Sequence, residues 1–304
     1  MFAHPSLTLL SHSFSRTDLF LVVFCLVDDW MLQRYGQANV PRRRGPVPTT
    51  CTDSELLAVC LVGELCGAAR ERAWVRQVRA SYQALFPRLP EDSRYARRLQ
   101  QLRHTLRAFR EQLLRWADAD LDPHRILDSY PLSLCACYRI RESNQPVEGA
   151  TFGYCASKRE FYFGLRPHVL ATFGQYLVDL ILAPGNCPDV KALALYLDQC
   201  AEAELSLWGQ TWLVDLGYRS KKVEEYARLR HGLTLLVGQP VEWRRPIEGI
   251  ISVLCQLFHL EDVLATTGIG LYRRFQAKIT AFNLGRYFND VLGREPLDLA
   301  RYAV

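Results

Sequence analysis

Residues 125–135 read RILDSYPLSLC, an apolar, strand-forming run interrupted by one acid, Asp128. Ile126 and Leu127 lead in, and Leu132 and Leu134 follow, so the segment predicts a buried β-strand. An ionised carboxylate loses its water in such a place and is costly to bury without a partner. Asp128 therefore needs a reason beyond packing, and the rest of the chain has to supply it.

Outward from this strand the pattern is that of an α/β unit. FYFGLRPHVLAT (161–172) and YLVDLILAP (176–184) predict two more strands, joined by a link short enough for a hairpin. Cys187-Pro188-Asp189 opens a helix through VKALALYLDQCAEAEL. TWLVDLGY (211–218) predicts a fourth strand, SKKVEEYARLR a helix and LTLLV (233–237) a fifth strand. A helical tail follows from near Pro246, broken around Thr266–Gly270. The order βββαβαβα predicts a mixed sheet, an antiparallel meander joined to parallel strands through helical crossovers.

Residues 1–118 read differently. Thr17-Asp18 predicts the cap of a helix through LFLVVFCLVDDWMLQRY that ends near Gly36, and Thr52-Asp53-Ser54 the cap of ELLAVCLVGELCG. An arginine-studded helix and a long helix from Ser93 to Ala117 complete an all-α module, a possible helix-turn-helix relative. Between Arg70 and Arg115 twelve arginines face four acids, a net +8 in a chain whose total is +5, so the remainder carries −3. Such a block suits a polyanion, because each phosphate it neutralises releases condensed counterions; it also suits a solvated helix face. The expected division is 1–118, helical, basic and suited to a polyanion, and 119–304, an α/β unit with C-terminal helices.

Composition is that of a globular protein, 49% hydrophobic and 23% charged. LFLVVFCLV (19–27) is far short of the ~20 residues that span a bilayer. No basic leader precedes it and Asp28-Asp29 follows, so the expectation is a buried helix in a cytoplasmic protein with no membrane partner. Ten cysteines form no C-x-x-C pair; most sit in apolar runs and are expected as packed thiols, with Cys135-x-Cys137 the closest pair.

Two further acids share the oddity of Asp128. Asp215 closes the apolar run Trp212-Leu213-Val214, and Glu248 sits in the first turn of PIEGIISVLCQLFHL. If strands one and four are neighbours and the helix after strand five packs across them, the three carboxylates converge into an oxygen cage for hard divalent cations. Taken singly, an Asp at a strand end is ordinarily a turn or cap residue, as read for Asp189 and Asp179, and a Glu in a first helical turn serves the helix dipole.

At this point the residues resemble a known family. The second half is similar to the ribonuclease H-like catalytic domain of the DDE transposases of bacterial insertion sequences. That family carries an Asp on the first strand, an Asp after the fourth and a Glu on the following helix, which match Asp128, Asp215 and Glu248. FCLVDDW (24–30), SELLAVCLVGE, FPRLPEDSRYARRL, ILDSYPLSLC, FGYCASKREFYFGLRPHVL, VDLGYRS and GLYRRFQAKITAFNL (270–284) resemble successive blocks of one insertion-sequence branch. Two departures stand out. Leu216 replaces the lysine of an Asp-Lys-Gly-Tyr element, and Val241 and Cys255 replace the Tyr and Lys of a Tyr-Arg-Glu-Lys signature in which Arg244 and Glu248 fit.

The resemblance implies strand cleavage and strand transfer at the ends of an insertion sequence, with Asp128, Asp215 and Glu248 as catalytic residues and ligands of two Mg²⁺ or Mn²⁺ ions. It implies double-stranded DNA, both transposon ends and target, as partner, a homodimer or larger assembly on that DNA, and a nucleoid-associated protein. Arg97, Arg98, Lys158, Arg159, Arg166, Lys221, Lys222, Arg244 and Arg245 are the candidate DNA contacts. His168 shares a strand face with Arg166 and reads equally as a hydrogen-bonded structural histidine. Two alternatives stay open: a structure-specific nuclease on the same fold, and a decayed transposase that binds DNA without chemistry.

Overall fold

The computed structural model describes residues 2–40, 51–135, 149–155, 159–263, 265 and 267–303. The chain forms two compact units, the first comprising Met1–Ala117, Val253–Leu264 and Ile269–Val304. Its first α-helix, α1 (Arg16–Tyr35), starts at a capping box on Ser15, two residues earlier than the expected Thr17. The Ser15 hydroxyl accepts from the Asp18 amide while the Asp18 carboxylate accepts from the Ser15 amide. The helix stops at Gly36, whose φ of 69° suits a residue without Cβ. Thr52 and Glu55 build the same box for α2 (Asp53–Leu65). Then come α3 (Glu71–Ser81), α4 (Asp92–Gln101) and α5 (Arg103–Trp116). The single helix expected from Ser93 to Ala117 is thus two. The Leu102 amide is shared between the carbonyls of Arg98 and Leu99, a tightening that turns the chain and buries Leu102.

The second unit, Asp118–Ser252 with Ala265–Gly268, holds the sheet. Its strands are β1 (His124–Ser129), β2 (Leu132–Cys135), β3 (Thr151–Cys155), β4 (Glu160–Thr172), β5 (Leu177–Pro184), β6 (Thr211–Val214) and β7 (Thr234–Val237). Helices α6 (Asp189–Glu202), α7 (Lys221–His231) and α8 (Arg245–Gln256) are interspersed after β5, β6 and β7. RILDSYPLSLC is two strands rather than one, because Pro131 has no amide for the ladder. The Tyr130 amide turns instead to the Pro167 carbonyl, at 3.1 Å.

β1 lies in the middle of this mixed sheet, antiparallel to β4 and parallel to β6. β4 is antiparallel to β5, and β6 is parallel to β7. The meander and the two parallel additions therefore stand as the element order implied, while β3, paired to β4 by Phe152↔Phe163, is an addition. Leu127, Leu170, Trp212 and Val214 point to one face and pack with Leu193, Tyr196 and Leu197 of α6 and Ala227 of α7. This holds the residues that follow Leu127 and Val214 at the carboxyl ends of two interior strands.

Gly164 shows how closely the backbones approach. A Cβ there would lie 1.9 Å from the Leu132 carbonyl oxygen and 3.0 Å from the Leu134 amide nitrogen. Neither is a flexible side-chain end, so Gly164→Ala is expected to part β2 from β4 and cost about 3 kcal/mol or more. A lowered urea midpoint with an unchanged slope is the reading to look for.

The chain then returns to the first unit. Helix α9 (Gly268–Val291) is buried on nearly every side between Gly270 and Asn289. The expected span 119–304 is therefore divided, and the C-terminal helix packs with the N-terminal helices. Charge explains this: Lys278 and Arg274 of α9 reach the buried Glu64 of α2 at 2.8 and 3.1 Å, and Arg273 reaches Glu71 of α3 at 2.8 Å.

No helix among the described residues is long and apolar enough to cross a membrane. Cys25, Cys51, Cys60, Cys66, Cys155, Cys187, Cys200 and Cys255 are thiols rather than disulfides. Burial pushes those of Cys51 and Cys60 up to about 12, so both stay protonated. Cys137 lies outside the described residues.

Candidate active site

In the register of the two parallel strands Leu127 of β1 pairs with Val214 of β6. Asp128 and Asp215 are the next residues on each strand, and neighbouring strands lie about 4.8 Å apart. Both acids thus emerge side by side at the carboxyl ends of parallel strands, where α/β sheets place their ligands. The two carboxylates are oriented by backbone amides. Asp128 Oδ1 accepts from the Ser129 amide at 2.8 Å. Asp215 caps a single 3₁₀ turn, Leu216–Tyr218, and its Oδ1 accepts from the Gly217 amide at 3.3 Å.

A cation already sits between them. Arg244 Nη2 donates to Asp128 Oδ2 at 2.7 Å, and Nη1 stands 3.5 Å from Asp215 Oδ2. Arg244 directly precedes α8, where its carbonyl accepts from the amides of Ile247 at 3.0 Å and Glu248 at 3.4 Å. Pro246, with φ preset for a helix and no amide to satisfy, suits the first turn. Burial works against the Arg244 charge, but the bond to Asp128 and the charges of Asp128, Asp215 and Glu248 hold its pKa above the ordinary value. The Asp128 carboxyl is raised despite Arg244: burial dominates, and the charge of Asp215 adds to it. The Arg244 Nε is buried and has no hydrogen-bond partner.

Glu248 is exposed on the first turn of α8. Among the described residues, no three His, Cys, Asp or Glu side chains lie close enough to hold a metal ion together. The expected cage of Asp128, Asp215 and Glu248 is therefore not closed in this conformation. The guanidinium takes the positive charge's place between the two aspartates, and Glu248 stands outside. The donor set nonetheless fits a hard divalent cation, since two carboxylates of one site already converge on a positive charge.

The other candidate residues divide by what they touch. Arg97, Arg159, Lys221, Lys222 and Arg245 are exposed; Lys158 lies outside the described residues. Arg98 is buried, donating to Asp53 and, at 2.8 Å, to the Cys51 carbonyl, so its charge serves the interior of the helical unit. Arg110 of the same basic block is likewise buried, on Gln276 at 2.6 Å. Arg166 is half-buried and donates to Asp189 at 3.3 Å and the Tyr154 carbonyl at 3.1 Å. His168 is buried with Nδ1 2.6 Å from the Tyr218 hydroxyl. Burial, then the nearby Arg166 charge, outweighs Asp189 and lowers its pKa to about 4, so it is a neutral structural histidine.

Residues 120–240 match the transposase DDE domain family. Asp128 and Asp215 fall inside the matched segment and Glu248 lies beyond it. Among solved structures, the chain is similar to the piggyBac transposase synaptic complex with hairpin DNA, at 10% identity and a TM-score of 0.41, over 98% of this chain and 77% of that one. No curated protein matches.

Proposed function

We propose that this protein is an insertion-sequence transposase with a ribonuclease H-like catalytic unit, cutting the ends of its element and joining them to target DNA. The observation that supports this most is the pair Asp128 and Asp215, side by side at the ends of adjacent parallel strands and sharing one cation. Asp128, the more buried of the two, would hold two Mg²⁺ or Mn²⁺ ions together with Asp215 and Glu248. Ions so held supply Lewis acidity toward both the attacking and the departing oxygen of a phosphodiester.

The chain's own residues do the rest. Water displaces the 3′ oxygen at the element's end, giving a 3′-hydroxyl and a 5′-phosphate. The 3′-hydroxyl then attacks a target phosphodiester, one bond formed for one broken, so no nucleotide is consumed. Arg244 leaves the aspartates for a DNA phosphate, a bidentate partner its fork suits. Glu248, four residues on in the first turn of α8, turns inward. Arg97, Arg159, Lys221, Lys222 and Arg245 offer exposed charge for the backbone of double-stranded DNA. Joining two ends calls for two or more copies on the DNA.

An end-joining assay with a labelled terminal-repeat duplex tests the reading. Metal-dependent nicking followed by joining to target supports it, nicking of branched DNA without joining supports a structure-specific nuclease, and binding without nicking supports a decayed copy. Arg244→Gln provides a second check. A hydrogen bond to a charged group contributes about 1.5–3 kcal/mol, so removing the competing cation is expected to tighten Mn²⁺ binding about tenfold or more. The metal-free protein should also melt earlier. Equal Mn²⁺ affinity in the variant and the parent would mean that the guanidinium and the metal do not compete.

A further inference from the structure

We infer that Asp189 is a positioning residue for the catalytic pair, holding the two residues whose amides orient Asp128 and Asp215; this rests on the proposed reading of that pair. Asp189 is the first residue of α6, where an acid ordinarily serves its own helix. Here the cap Pro188 makes no side-chain bond and the Asp189 carboxylate is engaged elsewhere. Oδ1 accepts from the Ser129 hydroxyl at 3.1 Å and from Arg166 Nη1 at 3.3 Å. Oδ2 lies against Gly217, so close that a Cβ on that residue would stand 2.6 Å from it.

Ser129 and Gly217 are the residues whose amides hold Asp128 and Asp215. One carboxylate from a third element therefore touches both amide donors, and Arg166 on β4 fixes that carboxylate in turn. Ser129 pairs with His168 across β1 and β4, and His168 bonds Tyr218, which follows Gly217. The residues after Asp128 and Asp215 are thus tied at a second point. A Cβ at 217 would press on Asp189 Oδ2, so the bare glycine lets the segment after Asp215 lie against that carboxylate. Outer residues of this kind typically govern metal affinity by about 10–100-fold.

The test uses the full-length chain with Asp189→Ala and Asp189→Asn. Amide hydrogen exchange at Ser129 and Gly217 is measured without metal, and Mn²⁺ affinity by electron paramagnetic resonance of the free ion. Asp189→Ala is expected to speed exchange at both amides while helix α9 keeps its protection, and to weaken Mn²⁺ binding about 10–100-fold. Asp189→Asn, which keeps the shape and a hydrogen bond to Ser129, is expected to restore most of both. Unchanged exchange at Ser129 and Gly217 in Asp189→Ala would overturn the inference. So would an Asp189→Asn protein that loses Mn²⁺ as fully as Asp189→Ala with both amides protected, since Asp189 would then be a direct ligand.

Should Asp189→Ala not fold, Ser129→Ala removes the hydroxyl contact alone; faster exchange on the Asp128 side supports the inference and unaltered exchange overturns it. If the parent protein binds no Mn²⁺, or Asp128→Ala binds it equally well, the metal reading fails while amide exchange still decides the role of Asp189.

Discussion

Asp128→Ala is expected to abolish Mg²⁺- or Mn²⁺-dependent cleavage of an end duplex while leaving duplex binding measurable. The ion's stabilisation of charge in the transition state is worth several kcal/mol, and each 1.36 kcal/mol is tenfold in rate. If Asp128 holds the ions as proposed, its loss should therefore lower the rate by about a thousandfold or more. The residues offered to the DNA backbone lie on other elements, so the binding isotherm should move little. Asp215→Asn should behave alike. Glu248→Gln is the sharper variant, because Glu248 is exposed in the free chain. A loss as deep as that of Asp128→Ala shows that α8 brings this side chain in during the reaction. Cleavage at the parent rate by Asp128→Ala would remove the assignment altogether.

What could be read from the residues, and what could not, follows from the range of the interactions involved. Ser15 with Asp18 and Thr52 with Glu55 form caps between residues three apart, and such local chemistry is visible in a string of letters, to within a turn. The adjacency of β1 and β6 was legible because few topologies place a parallel strand beside a meander. Side-chain partnership is another matter. Arg98 and Arg110 count as surface charge in any tally of the basic block, yet Asp53 and Gln276, far away in sequence, draw them inside. The same holds for α9, whose pattern resembles an ordinary tail until the acids of α2 and α3 are placed beside it.

At the site, the sequence marks Arg244 as a cation near Glu248. Only the fold reveals that its guanidinium lies between Asp128 and Asp215. Asp189 read as a helix-cap residue for the same reason: its true neighbours, Ser129 and Gly217, come from two other elements. Pro131 is a local signal of another kind: without an amide for the ladder, it divides RILDSYPLSLC into two strands.

The largest stability effect is expected at Glu64. Its carboxylate is buried and takes both Lys278 Nζ at 2.8 Å and Arg274 Nη1 at 3.1 Å. Removing one partner of such a group leaves an uncompensated buried charge, which costs about 3–5 kcal/mol. Glu64→Gln keeps the volume and removes the charge, so it should destabilise the helical unit by about that much, read from chemical denaturation. Lys278→Met alone should cost less, because Arg274 still serves Glu64. Combining Glu64→Leu with Lys278→Met should recover part of the loss by exchanging the pair for apolar packing, though Arg274 then keeps only the more distant Glu71, at 3.9 Å.

Glu71 sets the pH dependence of the same cluster. Burial raises its pKa, but the charge and hydrogen bonds of Arg273, with Arg274 and Lys278 behind, bring it below the ordinary value. A carboxylate that ionises more readily folded than unfolded stabilises the fold above its unfolded pKa, and the contribution disappears as the pH falls through the lower, folded value. Acid titration of the helical unit should therefore show a loss of stability below the usual glutamate range. Glu71→Gln should start from lower stability at neutral pH and flatten that acid limb. An acid limb identical in Glu71→Gln and the parent would place the titrating group elsewhere in the unit.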